Sequence, residues 1–126
     1  MRGIGQFVIC AALSSLAVAC GKADSEPTGP PVATNVITIT ATGVSPRVIT
    51  VPPGSQVTFV NNDIRPHDMQ SDPHPEHDDC PELKQVGYLN PSQSLTSGNL
   101  NDRRTCKYHD NLREEVPSLR GEIVIQ

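Results

Sequence analysis

The stretch G-V-S-P-R-V-I-T-V-P-P-G-S-Q-V-T-F-V-N-N-D, residues 43–63, decides the fold. Its two runs Arg47–Val51 and Gln56–Asn61 are rich in β-branched residues, which favour strands. The intervening V-P-P-G-S is typical of a turn, because Pro fixes φ and Gly accepts backbone angles that other residues avoid. The stretch therefore predicts two short strands joined by a tight connection.

Further strands are predicted on both sides of this stretch. Before it, Val36–Thr42 alternates apolar residues with threonine, and no window of a dozen residues has helical periodicity. The later segments predicted as strands are Ser94–Leu100, Arg104–His109 and Gly121–Gln126. We therefore expect an all-β sandwich with one long Pro- and His-rich loop, residues 71–91, which includes a helical turn near Pro81–Lys84.

The N-terminal residues have the features of an export signal. A positive charge at Arg2 precedes the apolar run Phe7–Ala19, which is too short to span a bilayer comfortably. The run ends in L-A-V-A-C, and a cysteine directly after small residues resembles the lipobox of bacterial lipoproteins. The resemblance implies a signal peptide over residues 1–19, cleavage before Cys20 and a lipid on its sulfur.

The predicted mature chain has a linker and one domain. After the lipidated Cys20, the polar, Pro- and Gly-rich residues up to 35 predict a flexible linker, and residues 36–126 suffice for one small domain. We expect an exported protein that its lipid attaches to the bacterial cell envelope, on the periplasmic or cell-surface side. The net charge of −4, without a cluster of Lys and Arg, argues against nucleic acid as a partner.

Residues that suit metal ions are concentrated in the second half of the chain. All four histidines lie between residues 61 and 110: His67, His74, His77 and His109. Cys80 and Cys106, the two cysteines beyond Cys20, lie in the same region. Imidazole and thiolate are ligands that copper and zinc prefer. The composition indicates either a metal site or a disulfide-stapled loop that is rich in histidine.

The order of these features resembles that of a cupredoxin over residues 36–126. The resemblance is carried by residues 43–63, by P-H-D at 66–68, by C-K-Y-H-D at 106–110 and by G-E-I-V-I at 121–125. It implies a Greek-key β-sandwich that binds copper, most often for electron transfer.

One interpretation is a blue-copper electron carrier. In such members of the family the ligands resemble His67, Cys106 and His109, a trigonal set that suits both oxidation states of copper, with a weak axial Met. Here no Met follows Met69, so the axial ligand is missing or replaced, with Glu114 as the candidate.

The interpretation that we favour from the sequence is a histidine-rich copper site beside a structural disulfide. S-D-P-H-P-E-H at 71–77 and Y-H-D at 108–110 resemble a bacterial subgroup in which an aromatic residue often stands at the position of Cys106. The resemblance implies that Cys106 pairs with Cys80, as thiols of exported domains commonly do. The metal, copper or alternatively zinc, would be held by histidines of this region: His67, His109, His74 and His77.

The sequence also suggests which residues orient the ligands and which kinds of partner to expect. Asp68 and Asp110, each directly after a histidine, are candidates to orient imidazoles. No hydrolytic triad or second-substrate site is visible, so we expect no enzyme. The expected partners are the membrane and a redox or copper-delivery protein.

The third functional interpretation, beside the blue-copper carrier and the histidine-rich copper site, is a metal-free cupredoxin-like module that binds a partner in the envelope. It stays open because a fold does not fix a function.

Overall fold

A computed structural model describes residues 29–126, so the predicted signal peptide, Cys20 and the first part of the linker lie outside the described residues. Ten strands and two 3-10 turns, Pro81–Gln85 and Pro117–Leu119, make up the regular structure of residues 29–126. The strands are β1 (Val32–Ala33), β2 (Val36–Thr40), β3 (Gly43–Ser45), β4 (Val48–Val51), β5 (Thr58–Asn61), β6 (His67–Ser71), β7 (Gly87–Leu89), β8 (Ser94–Thr96), β9 (Arg104–Asp110) and β10 (Gly121–Ile125).

The strands form two sheets, which confirms the expected all-β sandwich. The larger sheet has the order β1-β4-β10-β9-β6-β7, and the smaller has the order β3-β2-β5-β8. Strands β4 and β10 pair in parallel, as do β2 and β5, so distant parts of the chain meet inside each sheet. Within residues 29–126, no helix is long and apolar enough to cross a membrane.

The structure contains strands that the sequence did not predict. These are β3, β6 and β7, and β1 lies inside the segment predicted as linker, where it pairs with β4. The helical turn expected near Pro81–Lys84 is present as the 3-10 turn Pro81–Gln85. It lies between β6 and β7 and divides the expected long loop.

The core lies between the sheets and follows from alternation along the strands. Alternate residues of β2 and β10 are buried, as at Ile37, Ile39 and Ile123, because successive side chains of a strand point to opposite faces. Phe59 of the smaller sheet meets Tyr108 of the larger one edge to face, with ring centroids 5.1 Å apart. Each such fully buried side chain contributes about 1.5–3 kcal/mol of hydrophobic stabilisation.

Strand β9 connects the core to the opposite face of the larger sheet. Cys106 and Tyr108 are buried on the core face, whereas His109 pairs with Gln70 of β6 and projects from the other face. His109 is nevertheless only 3% exposed, because the loop of residues 72–80 covers it. The candidate site lies under this loop.

Candidate metal centre

The loop of residues 72–80 is a compact element that folds back on itself. The backbone N–H of Asp79 donates to the carbonyl of Asp72 at 3.0 Å, and that of His77 donates to Pro73 at 2.7 Å. The N–H of Asp72 donates to the carbonyl of Lys107 in β9 at 2.9 Å. Loops that return close to their start and satisfy their own backbone groups can hold side chains in fixed positions.

A disulfide attaches the far end of this loop to β9. Cys80 and Cys106 are bonded, with Cα atoms 5.8 Å apart, as the resemblance implied. Both residues are fully buried, and the guanidinium of Arg104 donates to the Cys80 sulfur at 3.1 Å. The crosslink therefore fixes the loop that carries His74 and His77 to the strand that carries His109.

Three histidines converge between the loop and the strand. His74, His77 and His109 each place one ring nitrogen within 4.8 Å of the others. His74 Nδ1 lies 3.3 Å from His77 Nε2, and the His109 ring centroid is 5.7 Å from that of His74 and 5.1 Å from that of His77. We refer to these three residues as the histidine cluster.

Two carboxylates bind the outer nitrogens of the cluster. His109 Nδ1 lies 2.6 Å from Asp72 Oδ1, and His74 Nε2 lies 2.9 Å from Glu114 Oε2. A carboxylate at one ring nitrogen favours the proton there and leaves a lone pair on the other nitrogen. The lone pairs of His109 Nε2 and His74 Nδ1 are thereby directed to the cluster.

The cluster fits a metal ion by two criteria. His109 Nε2 is buried and has no hydrogen-bond partner among residues 29–126, although buried polar atoms rarely lack one. The His74 and His77 nitrogens, which are 3.3 Å apart and within hydrogen-bond distance, also have a separation that fits shared coordination. Two imidazole nitrogens bound to zinc at about 2.0–2.1 Å in tetrahedral geometry lie about 3.3 Å apart.

The backbone conformation and the lowered pKa of His77 are also consistent with a metal site. Its φ is 53°, a left-handed conformation that is uncommon outside glycine and that tends to occur at functional positions. Burial lowers the pKa of His77, and the neighbouring His109 and His74 lower it further. The imidazole therefore loses its proton readily, and neutral imidazole is the form that binds metals.

The structure does not bring His67 into the cluster. His67 shares the core face of the larger sheet with Met69, whereas His109 projects from the opposite face. Both ring nitrogens of His67 are taken by carboxylates: Nδ1 lies 2.7 Å from Asp110 Oδ2 and Nε2 lies 3.0 Å from Asp63 Oδ2. The ring is fully buried, so in this structure it belongs to an ion-pair network in the core.

That network is anchored by arginine on each side. Burial alone would raise the pKa of Asp63, but hydrogen bonds from Arg65, His67 and the Ile64 backbone outweigh it and lower the pKa to about 2. Arg65 Nη2 lies 2.8 Å from Asp63, and Arg113 Nη1 lies 3.4 Å from Asp110. The charges are thus paired within the protein.

The set expected for a blue-copper site is not assembled. Cys106 is bonded to Cys80, and it lies on the opposite face of the sheet from His109. Met69 is buried in the core, and Glu114 contacts the outer nitrogen of His74. Histidines alone therefore form the candidate site.

Of the two aspartates expected to orient imidazoles, Asp110 binds one, that of His67, which lies outside the cluster. Asp68 instead accepts hydrogen bonds from Gln70 and Asn111, so neither aspartate is hydrogen-bonded to a ring of the cluster. Asp72 takes this role for His109 although it lies 37 positions away in the sequence. The contact between Asp72 and His109 forms only because the loop folds over β9, so no local pattern in the sequence predicts it.

A cleft of about 670 Å³ adjoins the cluster. His74 and His109 are part of its wall. The other lining residues are charged apart from one proline: Asp72, Pro73, Asp79, Lys107, Glu114, Glu115 and Arg120.

Two solved cupredoxins illustrate the structural similarity of this chain to known proteins. A purple cupredoxin from Nitrosopumilus maritimus is 19% identical, with a TM-score of 0.56 over 74% of this chain and 100% of that one. Amicyanin from Paracoccus versutus is 17% identical, with a TM-score of 0.54 over 78% of this chain and 85% of that one. No protein family profile matches the sequence, and no curated protein is similar to it. The similarity establishes a cupredoxin-like fold, as the sequence resemblance implied.

Proposed function

We propose that this chain is an extracytoplasmic metal-binding protein that holds copper at His74, His77 and His109. The observation that carries the proposal is the buried His109 Nε2, which has no hydrogen-bond partner in the described part of the chain and belongs to a cluster of three imidazoles. Imidazole suits copper and zinc, and zinc is the second candidate because it accepts an all-histidine site. When bound, the metal supplies a positive charge and a Lewis-acid or redox centre at the edge of the fold.

The assignment to copper rests on the fold and on the ligands together. The solved structures to which this chain is similar include cupredoxins, and histidine binds copper in both of its oxidation states. The absence of a thiolate from the proposed ligand set distinguishes the site from a blue-copper centre. We infer storage or transfer of copper, not catalysis, as its use.

Location and partners belong to the same proposal. The signal sequence and Cys20 support export and attachment to the bacterial envelope through lipid, on the periplasmic or cell-surface side. A copper-delivery or redox protein in that compartment is the expected partner.

Metal titration tests the proposal. The mature chain without its lipid, from Gly21 onward, is freed of metal and titrated with Cu(II) and Zn(II) in competition with a chromophoric chelator. We expect one equivalent of Cu(II) to bind tightly, with weak visible absorption and no intense thiolate charge-transfer band. His109→Ala is expected to abolish tight binding, and His74→Ala and His77→Ala to weaken it by at least about tenfold.

Two variants serve as controls. Glu76→Gln alters an exposed residue between two of the cluster histidines and should retain wild-type affinity. His67→Gln, if folded, should keep the copper stoichiometry, because His67 lies on the other face of the sheet. Retention of neither copper nor zinc by the folded wild-type chain contradicts the proposal and leaves the metal-free interaction module as the better account.

A further inference from the structure

Two aliphatic side chains are exposed on neighbouring loops at one end of the sandwich. Ile64, in the connection between β5 and β6, is 90% exposed, and Leu112, directly after β9, is 48% exposed. Both loops lie at the same end, because β6 begins where its antiparallel neighbour β9 finishes. The loops also contact each other, since Arg113 Nη1 donates to the carbonyl of Pro66 at 2.9 Å.

The buried ion-pair network fixes the backbone beside both side chains. Asp63 accepts a hydrogen bond from the backbone N–H of Ile64 at 2.7 Å, and Asp110 accepts one from that of Leu112 at 3.0 Å. His67 connects the two carboxylates, both of which are buried. Scattered apolar side chains are common on protein surfaces, but these two are held outward at one end by a shared network. Such preorganisation lowers the entropic cost of a contact.

Arginines flank the two aliphatic side chains, and their carboxylate partners lie beneath the surface. The side chains of Arg65 and Arg113 are 44% and 25% exposed, whereas those of Asp63 and Asp110 are 1% and 0% exposed. The next acid along the chain, Glu114, is directed to the histidine cluster. Apolar side chains beside exposed guanidinium groups are typical of segments that lie in the interface of a membrane with anionic lipids.

The chain enters the fold at this same end. Strands β1 and β4 run parallel to β10, which is antiparallel to β9, so β1 begins at the end where β9 finishes. Nine positions separate Cys20 from Gly29, the first described residue. Even fully extended, at about 3.3–3.6 Å per residue, this segment spans no more than about 32 Å. A lipid on Cys20 would therefore keep this end of the sandwich within that distance of the membrane.

We propose that the end of the sandwich that carries Ile64 and Leu112 lies against the membrane. The two aliphatic side chains enter the boundary between headgroups and acyl chains, and Arg65 and Arg113 contact anionic phospholipid headgroups. The inference rests on the lipid attachment in the proposed function and is independent of the metal. Because the sheets would stand on end, the outer face with the histidine cluster would be directed sideways, where a protein partner can reach it.

Single tryptophan variants test the orientation, because the sequence contains no tryptophan. The lipidated full chain, as Ile64→Trp or Leu112→Trp, is incorporated into vesicles of phosphatidylethanolamine and phosphatidylglycerol, and flotation establishes attachment. Matched vesicles with brominated acyl chains then quench any indole that reaches the lipid. We expect bromine to quench the fluorescence of both variants by at least about half, because interfacial side chains reach about 5–10 Å into the boundary.

The matched control places tryptophan at the opposite end of the sandwich. Asn99 is exposed, and its neighbour Leu100 bridges to Ser55, before the start of β5. Asn99→Trp should be quenched little, whereas a tryptophan that entered the membrane by its own affinity would be quenched there as well. Equal quenching of the three attached variants, or quenching of none, overturns the orientation and leaves a protein partner to cover Ile64 and Leu112. A wild-type chain that does not float contradicts the lipid attachment itself.

The lipid composition tests the contribution of the arginines. Replacing phosphatidylglycerol with phosphatidylcholine removes the anionic headgroups, so quenching of Ile64→Trp should fall while flotation persists. Unchanged quenching would overturn the contact of Arg65 and Arg113 with anionic lipid.

Discussion

Asp72 is the residue that links the loop to the orientation of a proposed ligand. Its carboxylate lies 2.6 Å from His109 Nδ1, and its backbone N–H is bonded to β9. We predict that Asp72→Ala weakens Cu(II) affinity by about 10- to 100-fold, because His109 loses the partner that fixes its ring and tautomer. Chelator competition measures the affinity, and ¹⁵N chemical shifts of the metal-free protein report the tautomer.

A neighbouring acid provides the matched control for Asp72. Asp78 is exposed on the same loop, so Asp78→Ala removes the same charge at a different place. Its affinity should stay close to that of the wild type. If both substitutions weaken binding equally, the effect of Asp72 is one of overall charge and its orienting role is refuted.

The lowered pKa of Asp63 predicts how the stability of the fold depends on pH. Its folded pKa is depressed to about 2 from an ordinary value of 3.8, so its stabilising contribution is present above pH 3.8 and is lost as the pH falls through about 2. Asp63→Asn should lower the free energy of unfolding at neutral pH by about 3 kcal/mol, because it breaks a buried charge network. Denaturant unfolding of both proteins down to about pH 2 measures the difference. We expect that difference to shrink at acid pH, and a constant difference contradicts the assigned ionisation.

At the scale of elements, the disulfide couples stability to the proposed site. The bridge closes a loop of 26 positions, so Cys80→Ser with Cys106→Ser should reduce the free energy of unfolding by about 3–4 kcal/mol. It should also weaken copper binding about tenfold, because ordering the backbone of even one freed residue costs about 1–2 kcal/mol. Thermal unfolding and chelator competition measure the two effects.

A histidine variant separates the effect of the disulfide on stability from its effect on metal binding. His77→Ala is expected to lose metal affinity while keeping most of the stability of the metal-free fold, because His77 lies in the surface loop. The double serine variant is expected to lose both. Unchanged copper affinity in a folded double variant means that the loop holds its shape without the crosslink.

Strand β6, one of the strands that the sequence did not predict, explains why His67 lies apart from the cluster. Strand β6 reads H-D-M-Q-S, with His67 and Ser71 on its buried face, so its alternation is not one of apolar and polar residues. A strand with polar inward positions has no periodic signal, whereas Val36–Thr40 and Gly121–Ile125 have a clear one. Without β6, the sequence does not reveal that His67 and His109 project from opposite faces.

At the scale of the molecule, the fold class is more predictable than the site. Strand propensity and turn residues predict the individual strands and turns from local sequence. The order of the motifs is then enough to suggest a cupredoxin-like sandwich. The candidate site depends on contacts between β9, the loop of residues 72–80 and Glu114, which lie far apart in the sequence. The family resemblance implied the pairing of Cys80 with Cys106, and it agrees with the predicted export because thiols of exported domains commonly pair.

The N-terminal sequence makes a prediction about the whole protein in its cell. Cys20 follows an apolar run and small residues, whereas Cys10 lies within that run, so the two cysteines form a matched pair. We predict that the bacterially expressed wild type and Cys10→Ser are processed, incorporate a labelled fatty acid and remain with the membrane fraction. Cys20→Ser should incorporate no label and lose membrane attachment, because the thioether requires its sulfur. A wild-type chain released without label indicates ordinary secretion, in which case the copper site would act in solution and not at the envelope surface.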